Sequence, residues 1–191
     1  DGDFSETRFV NVLNADLAND LGNLLNRTLK MASRYCGGKI PKISMNAFTD
    51  HHPLAERGAN LAKQVRQAYE NLAFSEACEA VLSLVRASNK YLDETAPWTL
   101  FKQGQQAETE IVLYAVLESV RLSGYLLAPI VPGLATAIYT QLGFVADFDQ
   151  RDIGQHLPFE SHSVWGTLPG DQTLGKASPI FQRLELATEV P

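Results

Sequence analysis

The sequence predicts an all-α protein, a helical bundle over residues 1–145 with a short irregular or β-ribbon C-terminal appendage over residues 146–191. Three observations predict it. Apolar residues recur every three to four positions through the first two-thirds of the chain. Proline and the Gly37-Gly38 pair fall between those runs rather than inside them, with proline at Pro53, Pro97, Pro129 and Pro132. After Gly143 the periodicity stops, and Gly154, Pro158, Gly166, Pro169, Gly170, Gly175 and Pro179 punctuate short pieces.

The elements follow in order. Asp3 and Ser5 are both suited to cap a short amphipathic helix carrying Phe4, Phe9, Val10 and Leu13, which should break at Asn14-Ala15-Asp16. A second helix is expected from about Leu17 to Tyr35, with Gly37-Gly38 as its stop. Residues 40–49 read as loop. A helix from near Pro53 carries Leu54, Leu61, Val65, Ala68 and Leu72, with a break at Phe74-Ser75. The next runs through Val81, Leu82 and Val85 to Tyr91, before Thr95-Ala96-Pro97 interrupts it. Glu108 to Leu127 is hydrophobic on both faces and should be central in the bundle. A last short helix follows over residues 133–142. Ser163–Gly166 and Ile180–Leu184 are candidates for a small β-ribbon, with Trp165 and Phe181 closing the appendage's own core.

Composition sets outer bounds. At 191 residues, 45% hydrophobic and 20% charged, the chain has the balance of a globular domain. No apolar run is long enough to span a bilayer, and no signal peptide opens the chain, so the expected setting is cytoplasmic without a membrane partner. Cys36 and Cys78 are isolated and read as free thiols. The sequence opens on Asp1-Gly2-Asp3, which reads as part of something longer.

The charge distribution is uneven. The formal net charge is −6, yet between Leu21 and Thr49 there is no acid, while Arg27, Lys30, Arg34, Lys39 and Lys42 all fall there. A wheel over residues 17–35 puts Leu17, Leu21, Leu24, Leu25, Thr28, Met31, Ala32 and Tyr35 on one arc. Asn19, Asn23, Asn26, Lys30 and Arg34 fall opposite. Asn26, Lys30 and Arg34, four apart, form one ridge. A solvated face is one account of it; the other is a surface for a negatively charged partner, because amides and cations together suit base edges and phosphates. Asparagine is a poor helix former, at about 0.5 kcal/mol relative to alanine, so three on one face do not serve helix stability.

Asn89 to Lys102 ends a helix in an Ala96-Pro97-Trp98 turn. Proline fixes that turn, so the indole either packs beneath the helix ends or offers a flat surface on which an unpaired base could stack. This stretch, with Asp1–Ser5, the run Asn14–Leu24 and Ser178–Glu185, resembles the anticodon-binding domain of the methionyl-tRNA synthetase family, a class I aminoacyl-tRNA synthetase. The resemblance extends essentially from end to end, and the Ala-Pro-Trp turn with its preceding Asn-x-Tyr is its most specific part.

The resemblance implies a helical bundle that receives the anticodon loop (CAU) of methionine tRNA. Trp98, set by Pro97, would stack on an unstacked base. Arg34 would read a base edge, Asn23 and Asn26 would lie near the loop, and Lys30 would contact phosphate. Gln182 departs from the family's usual Phe-Pro-Arg. The resemblance also implies that residues 146–191 pack back toward a catalytic domain that ligates methionine to its tRNA. That domain's ATP signatures, His-Ile-Gly-His and Lys-Met-Ser-Lys-Ser, are missing here, as is the cysteine cluster that holds zinc in many members. ATP and zinc therefore belong outside this chain, which should need no cofactor and be inactive alone. DNA is not expected as a partner. Two other readings stand beside this one: the bundle of a valine- or isoleucine-type synthetase, and a helical scaffold that docks only proteins. His51-His52 next to Asp50 reads as a solvated loop, and Glu108 with Glu110 as acids favoured at a helix start.

Overall fold

A computed structural model describes residues 4–48, 52–144 and 157–186 of the protein. Residues 6–35 form one uninterrupted helical rod: α1 (Glu6–Leu13), a π-helical stretch (Asn14–Gly22) and α2 (Asn23–Tyr35). Ser5 caps it, its hydroxyl accepting from the Arg8 N–H at 3.3 Å; Asp3, the other candidate cap, lies outside the described residues. The break expected at Asn14-Ala15-Asp16 does not occur, and the reason is where the polar groups go. The Asn14 amide donates to the Leu184 carbonyl and accepts from the Leu184 N–H, both at 2.9 Å, and Asn19 accepts from Arg183. The Asp20 carbonyl accepts from the Asn89 side chain at 3.0 Å. Side chains engaged with distant segments do not compete for their own helix backbone.

The stop after α2 is where the glycines put it. Gly37 and Gly38 have φ of 61° and 74°, and the Gly38 N–H reaches the Ala32 carbonyl at 3.3 Å. After a 3₁₀ turn (Met45–Phe48) come α3 (Pro53–Glu70), α4 (Phe74–Thr95), α5 (Pro97–Lys102), α6 (Gln106–Leu127), α7 (Pro132–Gln141) and α8 (Phe159–His162). The α3–α4 turn falls at residues 71–73, with Leu72 left-handed at φ 57°, so Phe74 opens α4 rather than breaking a helix. On α2, Leu29 is buried although it lies off the predicted arc, and Met31 and Tyr35 are only half-buried. The rod is wedged between α4 and α6, which widens its buried face.

α6 is the spine. From Val112 to Leu127 every residue is buried, and that includes Tyr114, Glu118, Arg121 and Tyr125, a polar stripe spaced 4-3-4. Arg121 donates from Nε and Nη2 to the two Glu118 carboxylate oxygens, both at 2.7 Å. Its remaining donors reach the carbonyls of His162 (2.7 Å) and Val164 (2.8 Å) and the Tyr139 hydroxyl (3.3 Å). Glu118 in turn accepts from the Gly166 N–H at 2.6 Å and the Thr167 N–H at 3.2 Å. Burial alone would loosen the Arg121 proton; the Glu118 carboxylate overrides it and holds the guanidinium above the usual arginine range. Tyr125 donates to the Leu157 carbonyl at 2.7 Å and Tyr114 to the Leu168 carbonyl at 2.9 Å. The whole stripe is thus spent on the backbone of residues 157–168.

That anchoring explains why the expected β-ribbon is absent among the described residues. The backbone of Ser163–Gly166 is bonded to α6, while Ile180 lies against Gly22 of the rod, so the two segments serve different neighbours. The strand-like pairing that does occur is a single antiparallel bridge between Lys39 and Thr173. Trp165 packs on α3 instead of an appendage core: a Cβ at Gly58 would come within 2.1 Å of the indole. Among the described residues no helix is long and apolar enough to cross a membrane. Cys36 and Cys78 are free, and burial, with Glu110 nearby, pushes the Cys36 thiol up to about 11.

His52, rather than sitting in a solvated loop, caps α3; His51 lies outside the described residues. Its Nδ1 accepts from the Ala55 N–H at 3.4 Å, which leaves Nε2–H to donate to the Tyr91 hydroxyl at 3.0 Å. Burial holds the ring below the ordinary histidine value of 6.5.

Two outcomes follow for stability. Arg121→Met strands a buried carboxylate and should cost about 3–5 kcal/mol; a urea midpoint close to the parent's would show that the pair contributes little. For His52 the folded protein prefers the neutral ring, so the unfolded chain takes up the proton first. Its contribution is therefore complete above pH 6.5 and lost as pH falls below it. His162, also held low by burial, acts in the same direction. His52→Asn keeps a capping side chain and should flatten the fall in urea midpoint between pH 7.5 and 5.5; an unchanged fall would assign it to other groups.

Candidate nucleic-acid interface

The end of the bundle where α2 stops and α4 gives way to α5 is built around one turn. Ala96 is left-handed (φ 46°, ψ 62°), a conformation that costs an alanine roughly 1 kcal/mol or more. A residue before proline is disfavoured in the right-handed helical region. The helix therefore cannot run on, and Ala96 redirects the chain. Pro97 takes the first position of α5, where its missing N–H is no loss, and is buried. The Thr99 N–H closes the turn on the Ala96 carbonyl at 2.7 Å. Trp98 emerges half-buried.

The preceding Asn-x-Tyr sets this turn in place. Asn89 reaches the rod at Asp20, as above, and Tyr91 reaches His52 at the start of α3, so the last turns of α4 are held from two sides. Arg27 of α2 adds an ion pair to Asp93 at 2.6 Å, both partly exposed.

Arg34 and Lys30 are exposed, and among the described residues neither has an ion-pair partner. The Arg34 guanidinium lies 5.8 Å from the centre of the Tyr35 ring. Tyr35 stacks on Phe101 of α5, with centroids 4.2 Å apart and planes at 23°. Phe101 is one helical turn from Trp98. The Tyr35–Phe101 stack therefore ties the Arg34 end of α2 to α5, one helical turn from Trp98, and Lys30 sits one turn back on the same ridge. Asn26, half-buried, and Asn23, exposed, lie further along; at 1.5 Å per residue Asn23 is about 16 Å from Arg34. The structure brings Lys30, Arg34, Pro97 and Trp98 to one end and leaves Asn23 beside the middle of the rod.

The acid-free window holds less spare charge than the sequence suggests. Arg27 is answered by Asp93, and Lys42 by Asp171 at 3.4 Å, both from distant parts of the chain. What remains unpaired in the described structure is Lys30, Arg34 and Lys39, two of them on the α2 ridge. Tyr35 and Phe101 went unmarked in the sequence: Tyr35 was assigned to the core arc, and only its position after Arg34, with Phe101 three residues after Trp98, could have flagged the pair. Among the described residues no group of three or more His, Cys, Asp or Glu side chains is placed to hold a metal ion.

The family described as the anticodon binding domain of methionyl tRNA ligase matches residues 41–181. The methionine–tRNA ligase of Synechocystis is 58% identical over 191 residues, and that of Nostoc 53%; each match covers 99% or more of this chain and 36% of the relative. The chloroplastic/mitochondrial methionine–tRNA ligase of Arabidopsis thaliana is 40% identical, over 99% of this chain and 30% of its own length. The chain thus spans about a third of the curated relatives it matches. A crystal structure of the free Mycobacterium tuberculosis methionyl-tRNA synthetase superposes with a TM-score of 0.79 at 26% identity, over 96% of this chain and 35% of that one. With most of its length matched by one family, the chain belongs to the anticodon-binding domains of methionyl-tRNA ligase.

Proposed function

We propose that the α2–α5 end of the bundle receives the anticodon loop of methionine tRNA, with the bases CAU splayed from their stack. The observation that carries this reading is the stack of Tyr35, beside an unpaired Arg34, on Phe101, which lies one helical turn from Trp98. A cation and aromatic rings at one end of the bundle are the combination that holds single-stranded bases, which supports the reading. Trp98 is the platform, Pro97 and Ala96 its mount. Arg34 reads a base edge, Lys30 meets phosphate, and Asn26 with Asn23 lines the approach further along the rod.

In the longer ligase this binding would orient the acceptor end at a catalytic domain that uses ATP to attach methionine, with zinc in members that carry the inserted domain. The reading places the protein in the cytoplasm with the translation machinery, without a DNA or membrane partner. The segment 146–191 packs back toward the catalytic domain. Exposed Phe4 just before α1 and Phe9 and Val12 on it, with Leu184 and Leu186 next to the Asn14 clasp, support that docking.

The test is a tryptophan-fluorescence titration with methionine tRNA. Binding should quench the emission, weaken as salt rises, and fall roughly 5- to 150-fold in Trp98→Ala, the equivalent of about 1–3 kcal/mol of stacking. Changing the anticodon should cost more than changing the acceptor stem. Salt-insensitive binding, or equal affinity for a swapped anticodon, would point to a protein-docking scaffold instead.

A further inference from the structure

α5 carries two aromatic side chains, Trp98 and, three residues on, Phe101. Residues at that spacing are neighbours on a helix surface, with Cβ atoms about 5–6 Å apart. One face of the Phe101 ring lies on Tyr35, yet the residue stays 37% exposed, and no other ring among the described residues packs on it. Its backing is fixed. The Gln106 side chain donates to the Tyr35 carbonyl at 3.0 Å and to Glu110 at 2.6 Å, tying the end of α2 to the start of α6. The Gly104 N–H closes on the Phe101 carbonyl at 3.0 Å and the Gln105 N–H on the Leu100 carbonyl at 3.0 Å, which holds the end of α5. An aromatic ring with one face stacked, part of its surface exposed and both neighbouring backbones pinned is pre-organised for a flat ligand.

The stack is also layered with charge. Arg34 sits over Tyr35, and Lys102 follows Phe101 exposed and without an ion-pair partner among the described residues. A flat, uncharged ring system attached to phosphate suits such a surface, and a nucleotide is that ligand. Successive bases of a single strand stack on successive aromatic side chains where two are offered in register.

We propose that the exposed side of the Phe101–Tyr35 stack is a second nucleobase platform, taking the base adjacent to the one held by Trp98. It rests on the anticodon reading and deepens it: the site engages two neighbouring unstacked bases, with Arg34 flanking the second. The competing role for the stack is purely structural, a clamp between α2 and α5.

Anticodon stem-loop RNAs, each with one abasic loop position, separate the two when titrated against the parent chain, Phe101→Leu, Phe101→Tyr and Trp98→Ala. Leucine keeps apolar bulk and loses the π-face. Phe101→Leu should bind the intact loop about 5-fold or more weakly, and Phe101→Tyr within about twofold of the parent. The Phe101→Leu loss should vanish for one abasic RNA, at the position next to the one where the Trp98→Ala loss vanishes. A Phe101→Leu chain that binds like the parent, or loses the same factor on every abasic RNA, would overturn the second platform. Trp98→Ala reports separately on the anticodon reading: if it loses affinity while Phe101→Leu does not, only the second platform falls.

Discussion

The fold is organised by a buried ion pair on its central helix. Glu118 and Arg121 lie in the stretch of α6 that is enclosed on all sides, and neither charge can be left without partners there. They satisfy each other through two hydrogen bonds, and their remaining capacity is met by the backbone at His162, Val164, Gly166 and Thr167. A segment with no helix or sheet ladder of its own is thereby given a fixed path across the bundle. Replacing the pair with apolar residues would leave those backbone groups orphaned, so helix and segment must be considered as one unit. The same helix, at its other end, holds the end of α2 through Gln106, so the spine also sets the geometry of the surface proposed to face the anticodon.

Local conformation and distant contact are linked along the rod as well. Its π-helical stretch is flanked by two regular helices, and its polar side chains are bonded to residues 183–184 while its Asp20 carbonyl meets Asn89 of α4. Asn89 lies two turns before the Pro-Trp turn. The bond from α4 to the rod and the bond from Tyr91 to His52 hold the end that bears the Pro-Trp turn. Pro97 is buried and Trp98 half-buried, whereas Arg34 and Lys30 are exposed and take no part in the core.

Much of this is legible in the sequence. Helix periodicity, the Gly37-Gly38 stop and the proline punctuation locate the helices well because those signals are local. Misreadings arose where a residue's partner lies far away in the chain. Asn14 and Asp16 look like a helix break until Leu184 is known to accept and return the Asn14 bonds. Ser163–Gly166 looks like a strand until α6 is seen to take its backbone groups. Arg27 looks like spare charge until Asp93, 66 residues on, is found beside it. The polar stripe at 114, 118, 121 and 125 is passed over when that helix is read only as apolar, because its purpose depends on a segment more than thirty residues downstream. At the candidate site, Arg34 and Trp98 stand out by residue type, whereas Tyr35 and Phe101 are ordinary aromatics until their rings are placed face to face.

The chain has two tryptophans, one at the proposed platform and one packed on Gly58. Their indole N–H resonances give an internal comparison in an ¹⁵N-labelled chain titrated with a methionine anticodon stem-loop. The account predicts a large shift for the Trp98 indole and for amides around Arg34 and Phe101, with the Trp165 indole and the Gly166 amide unmoved. Shifts confined to the Trp165 side, with the Trp98 indole unchanged at saturation, would contradict it.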